Sequence, residues 1–208
     1  MPQYTRNPPL RKAGMAADPM AQFRLWLDAA HEIGMIEPTA MTLATVDADG
    51  RPSARVVLLK GLEADGLLFY TNFESRKARA LAANPFAAAT FWWDRLERSV
   101  RFEGGIEQLT PAESETYFRT RPVGSQIGAV TSRQSQVVDS RETLDARLAD
   151  HERQFAGGVV PFPAYWGGYR LTPTVIEFWQ GRDNRLHDRL VYRRGDAAGA
   201  WNLVRLEP

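Results

Sequence analysis

Apolar residues along this chain recur at two spacings, and the changes between them divide it into helices and strands. Phe23, Trp26, Leu27 and Ala30 follow at helical intervals behind Asp18-Pro19, a capping residue with proline at the first helical position, and Gly34 closes the segment. Ala40 to Val46 then reads as a strand ending in the turn Asp47-Ala48-Asp49-Gly50. Arg55 to Lys60 and Leu67 to Thr71 read as two strands joined by Glu63-Ala64-Asp65-Gly66. Ser75 caps a helix through Ala78, Ala80 and Leu81 to about Asn84-Pro85. Phe86 to Trp93 is a buried strand, and Glu97 to Leu109 another, with a bulge or bend at Gly104-Gly105.

The second half continues in the same manner. Thr110-Pro111-Ala112-Glu113 is a capping box, and its helix ends before Pro122, which opens a second short helix containing Ser125. Ser140 caps a long helix to about Ala156, with Leu144, Leu148 and Phe155 facing inward and His151 on the solvated side. Gly157-Gly158 stops it. Tyr165 to Leu171 and Val175 to Trp179 read as separate strands. After the turn Gly181 to Asn184, Arg185, His187 and Arg189 alternate and would share one face of a strand. A last hairpin turns at 195–199 and ends in Trp201 to Leu206. Short antiparallel strands with capped helices between them define an α+β protein, mainly β, whose sheet curls or closes into a barrel.

Composition narrows the partners. The chain has 208 residues, 26 Lys and Arg against 25 Asp and Glu, a net charge of +1. That balance gives no reason to expect nucleic acid or an anionic membrane, so any basic site is local. There is no cysteine, and the histidines at 31, 151 and 187 are far apart, which argues against thiolate chemistry and a histidine-rich metal site. The first twenty residues lack the apolar core of a signal peptide, and no apolar run approaches the ~20 residues of a membrane span. The expectation is a soluble, cytoplasmic protein with a flexible arm over 1–17 and one domain over 18–208.

Three groups of polar residues stand out. Arg76 and Lys77 occupy the first turn of a helix, where the dipole disfavours cations by about 0.3–1 kcal/mol. With Ser75 and free backbone N–H groups they form either a solvated helix start or a phosphate site. Tyr117, Arg121 and Ser125 bring three hydrogen-bond donors together, as an anion clamp or an ordinary helix corner. Arg185, His187 and Arg189 face either solvent or a cleft for an electron-rich, anionic ligand. There is no GxGxxG, P-loop or nucleophile elbow.

In order and spacing, RVVLLK, FYTN followed by SRK, YFRTRPVGSQIGA, SRQS, YWGGYR, IEFWQ and RLHDR resemble the pyridoxine (pyridoxamine) 5′-phosphate oxidase family. The resemblance runs from Asp18 to the RLEP end. It implies an antiparallel, FMN-binding split β-barrel with peripheral helices, and a homodimer with FMN between subunits. It implies oxidation of pyridoxamine or pyridoxine 5′-phosphate to pyridoxal 5′-phosphate, with O2 as acceptor and H2O2 as co-product. It assigns FMN to Arg55, Lys60, Tyr70, Thr71, Arg76, Lys77, Gln134, Ser135, Trp179 and Arg189, with Arg76 and Lys77 at its phosphate. The substrate phosphate falls to Lys60, Tyr117, Arg121 and Ser125. Arg185 and His187 lie over the substrate ring, where they would orient it and manage the proton lost.

Two positions depart from the family. Ser99 stands where it commonly has Gln, a contact to the flavin ring. Tyr4 matches a substrate lid tyrosine, but the arginine expected three residues earlier would fall at Met1. The rival readings are a related split-barrel oxidase of the phenazine-biosynthesis type, which should lack the substrate-phosphate cations, and a non-catalytic protein that binds FMN or pyridoxal 5′-phosphate.

Overall fold

The computed structural model describes residues 4, 7–195 and 200–208. Arg6 and most of the turn expected at 195–199 lie outside the described residues. Helix α1 (Pro19–Glu32) leads into strands β1 (Ala40–Val46), β2 (Pro52–Leu58), β3 (Gly61–Leu62) and β4 (Leu67–Asn72). Helix α2 (Arg76–Ala83), strands β5 (Phe86–Trp93) and β6 (Arg98–Gln108), and helices α3 (Pro111–Thr120), α4 (Val123–Thr131) and α5 (Arg141–Gln154) follow. Strands β7 (Trp166–Gln180), β8 (Asp188–Arg194) and β9 (Trp201–Leu206) complete the chain.

The described strands form one antiparallel sheet in the order β2-β1-β5-β6-β7-β4-β3, with β8 and β9 branching from β7. It curls around α1. Phe23 of α1 is fully buried against Phe91, Trp93 and Phe102, and Trp26 meets Phe178 edge-on. Asp18 caps α1 as expected, its carboxylate accepting from the N–H groups of Met20 and Ala21. Thr110 and Glu113 form the expected capping box of α3, and Pro122 separates α3 from α4.

Strand β7 differs from the two separate strands expected. It runs unbroken through Pro173, pairing with β4 by residues 166–171 and with β8 by residues 175–180. The proline fits because the pairing of β6 with β7 shifts register between Glu103 and Gly104. Gly104 makes the shift possible: a Cβ there would lie 2.1 Å from the Thr172 carbonyl oxygen. The stretch 55–71 also differs from a simple hairpin. β2 pairs along its length with β1, and only the two-residue β3 meets β4 across the Glu63–Gly66 turn.

Residues 7–17 are more closely packed than an arm suggests. Leu10 and Met15 rest against the core, the Leu10 N–H donates to Asp188 Oδ2 at 2.9 Å, and Tyr192 donates to the Ala16 carbonyl at 2.6 Å. On α5, Leu148 and Phe155 pack against the small cluster of Phe118, Ile127, Val160 and Trp166. His151 is half-buried rather than solvated, its Nδ1 3.0 Å from Thr131 Oγ1.

The bulge yields a stability prediction. Gly104→Ala forces a methyl group into the Thr172–Pro173 backbone and should cost about 3 kcal/mol or more. Gly105→Ala, with nothing within 4 Å of the added carbon, should cost about 1 kcal/mol or less. Urea unfolding midpoints of the two variants check the difference.

Candidate functional site

The start of α2, the ends of β2 and β4, and the α3–α4 corner enclose a cleft of about 510 Å³. Its walls carry Arg55, Lys60, Tyr70, Thr71 and Lys77 from one side and Tyr117, Arg121, Ser125 and Gln134 from the other. Arg76 and Ser135 stand beside it, joined by a 3.1 Å hydrogen bond from the Arg76 N–H to Ser135 Oγ. The sequence-predicted FMN and substrate-phosphate residues outside the C-terminal region, Ser99 and Tyr4 apart, are therefore brought together.

Local structure explains the geometry. Ser75 Oγ caps α2 by accepting from the Ala78 N–H, which leaves Lys77 in the first turn with its amine turned back over the cap. Lys77 Nζ donates to Thr71 Oγ1 at 3.0 Å and to Gln134 Oε1, and Thr71 Oγ1 donates to the same Gln134 oxygen at 2.8 Å. Ser135 has a left-handed backbone, φ 72°, which turns the 134–135 connector onto the helix start. Arg55 donates to the Leu43 carbonyl at 3.0 Å and to Thr45 Oγ1 at 2.8 Å.

These partners are neutral. Among the described residues, Arg55, Lys60, Arg76, Lys77 and Arg121 have no carboxylate partner, whereas Arg101, Arg170, Arg189 and Arg205 all have one. Burial and the nearby Arg55 push the Lys77 amine down to about 8. Burial, then Arg76, lowers Arg55 as well. At the α3–α4 corner Arg121 lies over Trp166 at 4.7 Å, and its Nη1 is buried without a hydrogen-bond partner. Tyr70 stacks on Tyr117 with ring centroids 3.8 Å apart, and both rings lie nearly parallel to Trp166. An orphaned guanidinium donor and a set of cations lacking anions fit phosphate-bearing ligands.

Ser99 and Trp179 line a second cleft of about 320 Å³, with Thr90, Trp92, Arg101 and Glu177. It shares no lining residue with the first. Trp92, Ser99, Trp179 and Arg189 are successive cross-strand neighbours on β5 to β8. The Ser99 hydroxyl donates to the Phe91 carbonyl at 2.8 Å. Arg189 grips the buried Glu177 with both Nε, at 2.7 Å, and Nη2, at 3.0 Å, and Arg101 Nη2 reaches the same carboxylate at 2.7 Å.

Arg185 and His187 do not share a strand face with Arg189. Asp183–Arg185 is a 3₁₀ turn in which Asn184 and Arg185 have φ of 56° and 63°, and β8 begins only at Asp188. The left-handed pair resets the alternation on which the strand reading depended. His187 packs against Trp179 and Tyr4, and Tyr4 also meets Trp179 edge-on.

Sequence reasoning missed Trp166 and Glu177. Trp166 sits in YWGGYR, where an aromatic beside two glycines reads as strand packing. Glu177 carried a usable signal, a lone charge inside the apolar run VIEFW, since a charge in a buried strand needs a partner.

A curled antiparallel sheet with a cationic cleft at a helix start and an aromatic cleft on its other strands defines a split-barrel protein. The chain belongs to the pyridoxamine 5′-phosphate oxidase family. Residues 27–153 match the model described as Pyridoxamine 5′-phosphate oxidase, and residues 166–208 the Pyridoxine 5′-phosphate oxidase C-terminal dimerisation region. It is 54% identical over 199 residues to the pyridoxine/pyridoxamine 5′-phosphate oxidase of Cupriavidus metallidurans, covering 96% of this chain and 93% of that one. It is 55% identical over 204 residues to the protein of the same name from Thermosynechococcus vestitus, covering 98% and 95%. Among solved structures, PhzG from Burkholderia lata 383 in complex with tetrahydrophenazine-1-carboxylic acid superposes with a TM-score of 0.89 at 30% identity, covering 96% and 98%. A pyridoxamine 5′-phosphate oxidase-related, FMN binding protein from Nostoc punctiforme shares the fold, with a TM-score of 0.71 at 17% identity over 89% of this chain and 97% of that one.

For a phosphate-bearing ligand at the α2 start, Lys77 would set the pH dependence of binding. Between pH 7 and 8 its amine is charged in the free protein, and an anion binds without proton uptake. Above pH 8 the free amine is neutral, the bound one is held charged, and binding must take up a proton. Affinity for a phosphate-bearing ligand should therefore fall above pH 8, approaching about tenfold per pH unit. Calorimetric titration should show this slope, and Lys77→Met should remove it.

Proposed function

We propose that this chain is an FMN-dependent oxidase converting pyridoxamine 5′-phosphate or pyridoxine 5′-phosphate to pyridoxal 5′-phosphate, with O2 as electron acceptor and H2O2 as co-product, the amine substrate also taking up water and releasing ammonia. One observation carries the reading: a single cleft is lined by two groups of cations without counter-charge, Arg55 and Lys77 at the α2 start, with Arg76 beside them, and Lys60 and Arg121 toward the α3–α4 corner. Two phosphates, one on the cofactor and one on the substrate, match two such groups.

In this reading Arg76 and Lys77 hold the FMN phosphate, and Thr71, Gln134 and Ser135 set their positions. Arg55 and Tyr70 flank the cofactor. Lys60, Tyr117, Arg121 and Ser125 hold the substrate phosphate, Arg121 being stiffened by its contact with Trp166. Bound FMN would accept a hydride from the substrate carbon and pass the electrons to O2. Fixing both phosphates makes the encounter of the reacting atoms effectively unimolecular, which is the protein's main contribution to rate.

Each site is completed by a second copy of the chain. The region 166–208 carries Trp179, Arg185, His187 and Arg189, and it matches a dimerisation region. Trp179 and Ser99 line a cleft separate from the unpaired cations, and Arg189 is bonded to its Glu177, as expected where one subunit supplies the phosphate grips and its partner the ring contacts. Residues 18–208 act as one domain in this dimer, 1–17 form its arm, Tyr4 covers the substrate side, and the setting is the cytoplasm. The phenazine-type alternative is disfavoured by the identities, 30% to PhzG against 54% and 55% to the relatives named as pyridoxine/pyridoxamine oxidases.

The purified protein should be yellow and, in air, convert pyridoxine 5′-phosphate to an aldehyde with an equal amount of peroxide. FMN-loaded protein that yields neither product would support the non-catalytic binder instead. Arg121→Ala should weaken binding of the phosphorylated substrate by about 1.5–3 kcal/mol, the scale of a charged hydrogen bond. Unchanged affinity in that variant removes Arg121 from the phosphate grip.

A further inference from the structure

We propose that Arg170 is a positioning residue for the substrate phosphate: it ties the β3–β4 hairpin, which carries Lys60, to α3, which carries Tyr117 and leads into Arg121, and so fixes the span of the grip. The inference deepens the oxidase reading and rests on that reading for the identity of the phosphate ester.

Trp166, Gly168 and Arg170 alternate along β7 and share one of its faces. Each supports the cationic cleft in its own way. Trp166 lies under the Arg121 guanidinium at 4.7 Å. Gly168 makes room for Tyr70, whose ring a Cβ there would meet at 2.7 Å. Arg170 stands between Leu68 of β4 and Glu107 of β6, and its guanidinium reaches carboxylates from both cleft walls. Its Nε donates to Glu63 Oε2 at 2.6 Å, and its Nη1 to Glu107 Oε1 at 2.6 Å. Nη2 lies 3.5 Å from Glu63 Oε1 and 3.5 Å from Glu113 Oε1, so hairpin and helix share one nitrogen.

Glu63 and Glu113 are both fixed to backbone that carries the grip. The Glu63 N–H closes its turn on the Gly66 carbonyl at 2.9 Å, and in the same hairpin the Lys60 N–H donates to the Leu68 carbonyl at 2.8 Å. Gly66 lets the arginine cross that turn, since a Cβ there would lie 2.8 Å from Arg170 Cγ. Glu113 belongs to the first turn of α3, where its Oε2 accepts from the Thr110 N–H at 2.8 Å. Tyr117 follows one helical turn later, and Arg121 is the C-cap. A second tie of α3 to β7 is the Gly168 N–H, which donates to the buried Ser114 Oγ at 3.1 Å. A single exposed ion pair contributes little. Here, loss of the cation also leaves three carboxylates close together, and their repulsion acts between the hairpin, the helix and β6. At the α2 start, by contrast, Lys77, Thr71 and Gln134 are bonded to one another, so the FMN grip does not depend on this tie.

In the FMN-loaded full chain, Arg170→Met should raise the KM for pyridoxine 5′-phosphate about tenfold. The dissociation constant of FMN should change by less than about twofold. Two carboxylate variants separate position from charge. Glu63→Ala, which frees the hairpin, should raise the KM about fivefold. Glu107→Ala removes the same charge from the same guanidinium but frees neither wall, and should leave the KM unchanged. An equal loss of FMN affinity in Arg170→Met, or equal KM values in the two carboxylate variants, overturns the proposal; the second comparison decides even if Arg170→Met does not fold. Without substrate, the Lys60 and Gly168 amides should exchange hydrogen about fivefold faster in Arg170→Met than in the wild type. Unchanged exchange at both amides also overturns it. A wild-type chain with no oxidase activity contradicts the proposed function, while the exchange rates still decide whether Arg170 holds the two walls.

Discussion

Three cations meet at the start of one short helix, and among the described residues no carboxylate neutralises them. Arg55, Arg76 and Lys77 disfavour one another's charge: Arg76 lowers Arg55, and Arg55 lowers Lys77. The fold meets the hydrogen-bonding needs of Lys77 and Arg55 with neutral oxygens, from Thr71, Ser75 and Gln134 for the first and the Leu43 carbonyl for the second. It leaves their Coulomb energy unmet. Arg170, by contrast, is paired with Glu63 at 2.6 Å. What sets this cluster apart is the closeness of its cations to one another, and a ligand with its own negative charge would relieve it.

The rest of the architecture serves that point. Helix α1 fills the curl of the sheet with Phe23 and Trp26, which fixes the strands on which Arg55, Tyr70 and Thr71 are mounted. Strand β7 ties the halves together, pairing first with β4, which carries Tyr70 and Thr71, and then with β8, which carries Arg189. Its continuity depends on Gly104 giving way to the Thr172–Pro173 backbone. On the second cleft the opposite rule holds. Glu177 pairs with both Arg189 and Arg101, and Glu103 with Arg101 as well, so this surface offers tryptophan faces and paired charges rather than free ones. Under the proposed function, a flavin's charged tail and flat ring would be divided between the two clefts.

Local signals in the sequence were sufficient where the structure is local. Asp18, Ser75, Thr110 and Ser140 all cap helices as their positions suggested, and β1 and β5 begin and end at the expected residues. Lys77, out of place for a cation in the first turn of α2, lines the cleft, and Arg76 stands beside it. What could not be read was set by partners distant in the chain. Pro173 reads as a strand break until Gly104, 69 residues earlier, supplies the register shift that accommodates it. Arg185 takes a left-handed backbone that its residue type does not announce, so the alternation through His187 misled. The packing of residues 7–17 depends on Asp188 and Tyr192, far away in sequence. The Arg121 contact with Trp166 likewise needed the tertiary fold.

The account stands on the uncompensated cations, and the most direct measurement of their role compares FMN with riboflavin, which shares the ring but lacks the phosphate. Fluorescence titration of the flavin-free protein should show FMN bound about a hundredfold or more tightly than riboflavin at pH 7.5, as expected for at least two charge-assisted hydrogen bonds. Equal affinity for the two flavins would contradict the account, because the cluster at the α2 start would then be holding no phosphate.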